Sequence, residues 1–327
     1  MDRRRFIGAV ASGVLTVPIA TPAQQPARIA RVGVLFAGTQ ISWVDQVKTF
    51  RQGLRERGWV EGQNLVLDFR YADDNYDRLP AMAASLIALK PDALFAGSSP
   101  AVRAAIHATS TIPIVFETLG DPISAGLVQN LGRPGGNVTG VSGLSPEFSA
   151  KRLQFIREIV PSVTRVAVLA NLQNLATPPV VRSMEVAAER MRVQLDVVDV
   201  RDPAQLTGAF EKVLRLKAEA LVVLSDPMLS GQRRRIGEFA MRHRLATAFD
   251  GQRNLAEGGL LSYGSFRLER FEQAADYVDR ILRGAKPGDL PVAQPTKFEL
   301  VINLKTAKAL GITVPQSLLL RADQLID

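Results

Sequence analysis

The 327-residue chain contains no cysteine. That excludes disulfides, thiol catalysis and thiolate metal sites, and it excludes a lipid anchor on an N-terminal cysteine. Histidine is almost as scarce. His107 and His243 each fall near the end of a predicted helix, where an imidazole interacts with the helix dipole. They are too far apart to give a metal-ligand spacing, so no metal site is expected. No run of about 20 apolar residues occurs, so no internal membrane span is expected. Neither G-x-S-x-G nor the Gly-Lys-Ser/Thr of a P-loop is present, and the glycine-rich stretch 132–140 does not follow G-x-G-x-x-G. Nothing in this inventory points to an enzyme or to a bound cofactor.

What is present is basic charge and an internal duplication. The net charge is +8, but most basic residues are dispersed among acids. Arg233-Arg234-Arg235 lies in a predicted helix with Glu238 close by, which reads as a solvated face rather than a phosphate-binding patch. No nucleic-acid partner is expected. At the start, Asp2-Arg3-Arg4-Arg5-Phe6 precedes an apolar stretch over 7–20 and the small residues Thr21-Pro22-Ala23. This order resembles a twin-arginine export signal over 1–23. It implies a bacterial envelope protein, free in the periplasm because no cysteine is there to carry a lipid.

The duplication is read directly. RVGVL at 31–35 returns as RVAVL at 165–169, and PDALFAGSSP at 91–100 returns as AEALVVLSDP at 218–227, in the same order. Each copy reads strand, helix, strand, helix, strand, then a capped helix start. Strands separated by helices of this length form right-handed βαβ units on a parallel sheet. The fold class is therefore α/β, with two similar Rossmann-like lobes. Compact strands are predicted over 31–36, 64–71, 92–96 and 112–116, then 165–169, 194–200, 220–224, 246–249 and 259–262. Helices fall between them, including single helices over 203–216 and 229–242. The turn cluster at 133–137 is read as the first hinge region. Phe271, Ala275, Val278 and Leu282 recur at helical spacing. That helix finds no slot in the second lobe and is placed on the first. Three segments then join the lobes, with 29–141 plus 265–290 as lobe one and 142–264 plus 291–327 as lobe two. Three parallel connections favour bending over free tumbling.

In parallel α/β sheets a ligand sits at the carboxyl ends of the strands. That rule names the loops 38–43, 97–100 and 117–122 in lobe one, and 171–174, 225–228 and 250–253 in lobe two. Candidate contacts follow. Ser42 and Trp43 end the first loop, and Trp43 either stacks on a flat ligand or packs at the helix start. Ser98 and Ser99 precede Pro100 and either cap a helix or hold a carboxylate at its positive end. Asp121 and Asp226 each precede a proline. Both read equally as helix caps or as carboxylates receiving an ammonium group. Asp250 has no following proline, so capping explains it less well. Asn171 ends a strand, and Ser142 and Tyr263 lie near crossings.

Several motifs then carry a family resemblance: FRQGL at 50–54, GWVEGQN at 58–64, YDRLP at 76–80, GDP at 120–122, RPGGNVTG at 133–140, SYG at 262–264 and QPTKFELVINLKTAKALG at 294–311. Together with the twin lobes they resemble the type I periplasmic binding proteins, and more narrowly the ABC-transporter substrate-binding family with tryptophan- and tyrosine-binding members. The resemblance implies a solute receptor that hands its cargo to an ABC permease driven by a cytoplasmic ATPase, and a monomer is the default for a free receptor. The family-led cargo is an aromatic or branched amino acid or another small carboxylate. A ligand sensor of the same fold and an envelope α/β enzyme are the alternatives.

Overall fold

The computed structural model describes residues 29–118, 120–143, 145–265 and 267–327. The export segment expected at 1–23 lies outside them. The first sheet holds five parallel strands: β1 (Ala30–Phe36), β2 (Leu65–Tyr71), β3 (Ala93–Gly97), β4 (Ile114–Thr118) and β5 (Val138–Ser142), in the order β2-β1-β3-β4-β5. Helices α1 (Val44–Glu56), α2 (Leu79–Ala88) and α3 (Ser99–Ala108) connect them. β3, β4 and β5 are buried along their whole length, as a parallel sheet covered on both faces requires. One apolar cluster forms around Phe36, Phe50 and Phe95, and another on the opposite side around Leu35, Leu94 and Phe116.

β5 corrects the hinge expected at 133–137. Gly135 and Gly136 take positive φ values of 72° and 60° and turn the chain into a fifth strand of the first sheet. A Cβ on Gly140 would lie 2.2 Å from the carbonyl oxygen of Phe116 in β4. The close approach of the two strands therefore needs glycine there. The crossing comes only after Ser142, which pairs with Thr118 and so belongs to the first sheet.

The second lobe contains α4 (Ser145–Ile159), β6 (Arg165–Ala170), α5 (Thr177–Met191), β7 (Gln194–Asp199), α6 (Leu206–Arg215), β8 (Ala220–Val223), α7 (Pro227–Gly231), α8 (Arg233–Arg242), β9 (Ala246–Phe249) and β10 (Leu261–Ser265). The helix expected over 229–242 is thus two helices, broken at Gln232. α9 (Arg267–Leu282) follows and packs on α1 and against β3, β4 and β5 of the first sheet. β11 (Phe298–Asn303), α10 (Leu304–Leu310), α11 (Gln316–Leu319) and β12 (Gln324–Ile326) complete the chain. The second sheet runs β12-β11-β10-β9-β8-β6-β7, with β10 and β11 antiparallel.

Two boundaries shift by a few residues. Ser265 pairs with Phe298 in the second sheet. Val292 and Ala293 remain tied to the first lobe, their amides donating to Leu131 at 2.7 Å and Gly140 at 2.9 Å. The last crossing therefore follows Ala293 rather than Leu290.

α9 is held by Phe271, whose fully buried ring lies 5.6 Å from Phe95, 5.8 Å from Trp43 and 6.3 Å from Phe36. Phe271→Ala removes a ring from a packed core, and the expected cost is about 3–5 kcal/mol. Urea denaturation of the variant checks this; a loss of under about 1 kcal/mol would show that α9 is not anchored there.

Candidate functional site

The carboxyl ends of the two sheets face one another across a cleft, and the lobes touch over it. A Cβ on Gly120 would lie 2.5 Å from the Cβ of Ala176, and one on Gly38 would lie 3.3 Å from Pro227. Glycine at these two positions lets the lobes approach. Two adjoining cavities lie in the cleft and share Ser230.

The first is a small pocket of about 30 Å³, enough to seat an ordered water. Lobe one supplies Trp43, Ser98, Ser99 and Glu117; lobe two supplies Asn174, Thr177, Ser225 and Asp226. Asp226 is its hub. The carboxylate caps α7 by accepting from the Met228 amide at 3.0 Å, and it accepts from Asn174 Nδ2 at 3.0 Å and Asn171 Nδ2 at 3.4 Å. A further donor comes from the other lobe: Tyr76 Oη donates to Asp226 Oδ2 at 2.8 Å. Burial pushes the Asp226 carboxyl up, while the hydrogen bonds from Asn174, Tyr76, the Leu229 amide and Asn171 pull it back down. Burial and the Asp226 charge hold the Tyr76 hydroxyl well above its ordinary value, so it stays a donor. Asp226 is thus the helix cap that the proline after it suggests, and Tyr76 also ties it across the cleft.

Asp74 approaches the same hub from lobe one. Its φ is +65°, and its Oδ1 is buried without a partner. Burial, then Asp226, then Asp73 raise its pKa to about 6.

The second cavity, of about 500 Å³, lies on the side of the crossings. Lobe one and α9 line it with Ser42, Asp45, Gln46 and Arg270, and lobe two with Asp250, Arg253, Ser262 and Glu299. Arg270 is almost wholly buried and forms an ion pair with Glu117 at 2.8 Å. Asp250 accepts from the Ser225 hydroxyl and, at 3.4 Å, from Asn254 Nδ2. Behind it lies Arg152 of α4, fully buried, with its pKa lowered to about 10 by burial and supported by the Asp250 charge. Among the described residues no group of three His, Asp or Glu is placed to hold a metal ion.

The structure brings together Ser42, Trp43, Ser98, Ser99, Asp226 and Asp250 at the two cavities. Trp43 packs at the helix start, its ring stacked on Phe36 at 4.5 Å, and it borders the small pocket. The Ser99 hydroxyl pairs with Thr118 Oγ1. Ser98 Oγ is buried without a partner and makes no cap to α3. Asn171 supports Asp226 from behind and lines neither cavity.

Three expected contacts are placed elsewhere. Asp121 caps a turn, accepting from the Ile123 and Ser124 amides at 3.0 and 3.2 Å. The Ser142 hydroxyl donates to the Gly120 carbonyl at 3.1 Å inside lobe one. Tyr263 packs edge-on against Phe148 and Phe155 of α4, at 5.7 and 5.1 Å.

Tyr76, Asn174, Gln46 and Arg270 are the contributors that sequence reasoning did not name. Asn174 stands in a loop that the strand-end rule selected. Tyr76 follows β2, whose loop the same rule selects once it is applied to every strand.

Residues 32–326 match the family described as ABC transporter substrate binding protein. The chain belongs to this family. Its members bind small molecules and work with ABC permeases; the family and its fold are those of solute-binding proteins, not of enzymes. The chain is 26% identical over 266 residues to a tyrosine-binding protein of Clostridioides difficile, covering 81% of this chain and 76% of the relative. It superposes on an ABC domain of Streptococcus pneumoniae in complex with L-Trp with a TM-score of 0.84, at 26% identity over 91% of this chain and 99% of the other. A leucine-binding protein of Thermotoga maritima shares the fold, with a TM-score of 0.61 and 14% identity over 86% and 87% of the two chains. The architecture is thus that of a type I periplasmic binding protein.

The raised Asp74 pKa makes a pH prediction for this receptor fold. A carboxyl raised to about 6 from 3.8 gives a contribution to stability that is fully present below pH ~4 and lost as pH rises through ~6. Asp74→Asn cannot ionise. The variant is expected to be more stable than the parent at pH 7.5, by about 1–2 kcal/mol after allowance for solvent screening, with the difference vanishing near pH 4. Melting temperatures of both proteins across this range check the sign and the midpoint.

Proposed function

We propose that this chain is the solute receptor of an ABC importer, closing by hinge bending on a small amino-acid-like or aromatic carboxylate ligand held between its lobes. The observation that carries this reading is the cross-cleft hydrogen bond from Tyr76 to Asp226 beside cavities lined by both lobes. A ligand that touches both walls favours the closed arrangement over any open one by its differential contacts. The amino-acid class is supported by the similarity to a tyrosine-binding protein and to an ABC domain in complex with L-Trp. The cargo passes to an inner-membrane permease driven by its ATPase. The basic, apolar and small-residue order of residues 1–23 supports delivery to the periplasm by the twin-arginine route.

A thermal-shift panel of amino acids, aromatic acids, short amides and sugars tests the reading, because a ligand that binds only the native state stabilises by RT ln(1 + [L]/Kd). The expected hit is an amino acid or an aromatic carboxylate. A hit confined to sugars would overturn the cargo class. X-ray scattering with the hit tests closure, since identical dimensions with and without ligand would sink the hinge mechanism. Tyr76→Phe deletes one inter-lobe hydrogen bond and leaves Asp226 one donor short. It is expected to weaken ligand affinity roughly three- to tenfold, checked by calorimetric titration.

A further inference from the structure

Lobe two reaches lobe one through α7. At its start, a Cβ on Gly38 in the loop after β1 would stand 3.3 Å from the Pro227 side chain. At its end, a Cβ on Gly231 would stand 3.4 Å from Asp74 Oδ2 in the loop after β2. That second loop is fixed to its own lobe. The Asp74 amide donates to the Ala37 carbonyl at 3.0 Å, and Asp74 takes a φ of +65°. Two residues on, Tyr76 bonds Asp226 across the cleft at 2.8 Å. The contact of the lobes thus brings together two carboxylates, Asp74 from one and Asp226 from the other.

The two differ in what satisfies them. Asp226 Oδ2 accepts from Tyr76 and Asn174, and Oδ1 accepts from Asn171 and the Met228 and Leu229 amides. Asp74 Oδ1 is buried with no donor. The charged groups around it offer no relief. On its own loop, Asp73 pairs with Arg78 at 2.7 Å and Asp77 is exposed. After the β1 loop, Asp45 pairs with Arg253 at 3.2 Å. On lobe two, Arg233 at the start of α8 donates to the Ser230 carbonyl at 3.2 Å. Burial, then Asp226, then Asp73 raise the Asp74 carboxyl to about 6, and no cation lowers it. Burial raises Asp226 too, but its donors pull it back. Like charges this close cannot both ionise freely, so a proton entering the pair settles on Asp74. When the lobes part, Asp226 and Gly231 leave with lobe two, and water reaches the Asp74 carboxyl.

Resting on the hinge closure read above, we propose that Asp74 makes the lobe contact a proton-coupled latch, which takes up a proton on closing and releases it on opening. A carboxyl whose pKa rises on closure favours the closed form. That contribution is fully present below pH ~4 and is lost as pH rises through ~6. The receptor therefore holds its cargo more tightly in acid, without any titration of the cargo.

Two measurements test the latch. The first is calorimetric titration with L-tryptophan and with L-tyrosine at pH 5.0 and 7.5, between which the charge of a free amino acid does not change. The parent is expected to bind roughly three- to tenfold more tightly at pH 5.0. Titration in buffers of different ionisation heat is expected to show uptake of close to one proton at pH 5.0 and none at pH 7.5. Asp74→Asn cannot ionise, and asparagine tolerates the positive φ; it is expected to bind alike at both pH values. Asp73→Asn, the control, is expected to keep the parent's dependence. The second measurement needs no ligand. Because the chain has no cysteine, dyes can be placed only on Gln129→Cys in lobe one and Gln173→Cys in lobe two, and single-molecule energy transfer counts closed against open molecules. Their ratio is expected to rise by the same factor in acid for the parent and to stay constant for Asp74→Asn. A parent that neither binds more tightly nor closes more in acid, or an Asp74→Asn variant that keeps the parent's dependence, overturns the latch and leaves the receptor reading standing. If neither amino acid binds, the amino-acid reading loses its support, and the energy-transfer ratio alone upholds or overturns the latch.

Discussion

The buried ion pair between Arg270 and Glu117 is the constraint on which the middle of the molecule depends. Both side chains are 2% exposed. Removing two charges from water costs several kcal/mol per ion, and the mutual attraction offsets this only with good geometry and further hydrogen bonds. Here the ion pair is at 2.8 Å and Ser265 takes a second nitrogen. The three residues belong to different elements. Glu117 ends β4 of the first sheet, Ser265 ends β10 of the second, and Arg270 opens the helix between the lobes. One electrostatic contact therefore fixes where the chain crosses. The next residue, Phe271, inserts into the aromatic cluster of lobe one, so apolar packing holds the helix that the ion pair aims.

The cleft walls follow the same rule with neutral donors. Asp226 is kept in the interior by Tyr76, Asn174, Asn171 and the start of α7. A buried carboxylate with several donors is well satisfied, but a second one beside it is not. Asp74 is that second carboxylate, and burial together with Asp226 raises it to about 6. The lobes thus meet through one favourable contact and one unfavourable one. The surface ion pair between Asp45 and Arg253 at 3.2 Å joins the two walls as well, but at that exposure such a pair is worth little. Under the proposed closure, a contact balanced in this way leaves room for a ligand to decide the equilibrium.

The repeat made the two lobes legible, because each copy carries fully buried apolar strands that read as short continuous runs. What stayed hidden had local reasons. β5 carries Gly140 where a strand reading looks for a side chain, and the glycine is there because β4 lies against it. β12 is three residues long and takes its pairing from β11. In the cleft, the strand-end rule reached Ser42, Trp43, Ser98, Ser99, Asp226 and Asp250, because those positions follow from topology. Asp121, which that rule also selected, has its carboxylate occupied by its own turn, and Tyr263, offered for its place near a crossing, turns its ring inward to α4. Gln46 and Arg270 stand within helices, outside any strand-end loop. Their signal is of another kind: Arg270 shares the apolar face of α9 with Ala274, Tyr277, Val278 and Ile281, all buried. A charge at the helical spacing of a core stripe has to be paired, and the pairing marks the site.

The crossings themselves are coupled. Val141 and Ala293 form a parallel bridge, and the Ser142 amide donates to Ala293 at 2.8 Å. The first and third crossing segments therefore leave lobe one as a bonded pair, while Arg270 ties Ser265 of the second to the same sheet through Glu117. All three connections are thus held on the lobe-one side. Any bend between the lobes has its soft points beyond these ties, after Ser142 and after Ala293, where the chain enters the second lobe. Under the proposed hinge closure, three attachments held in this way favour bending over free tumbling.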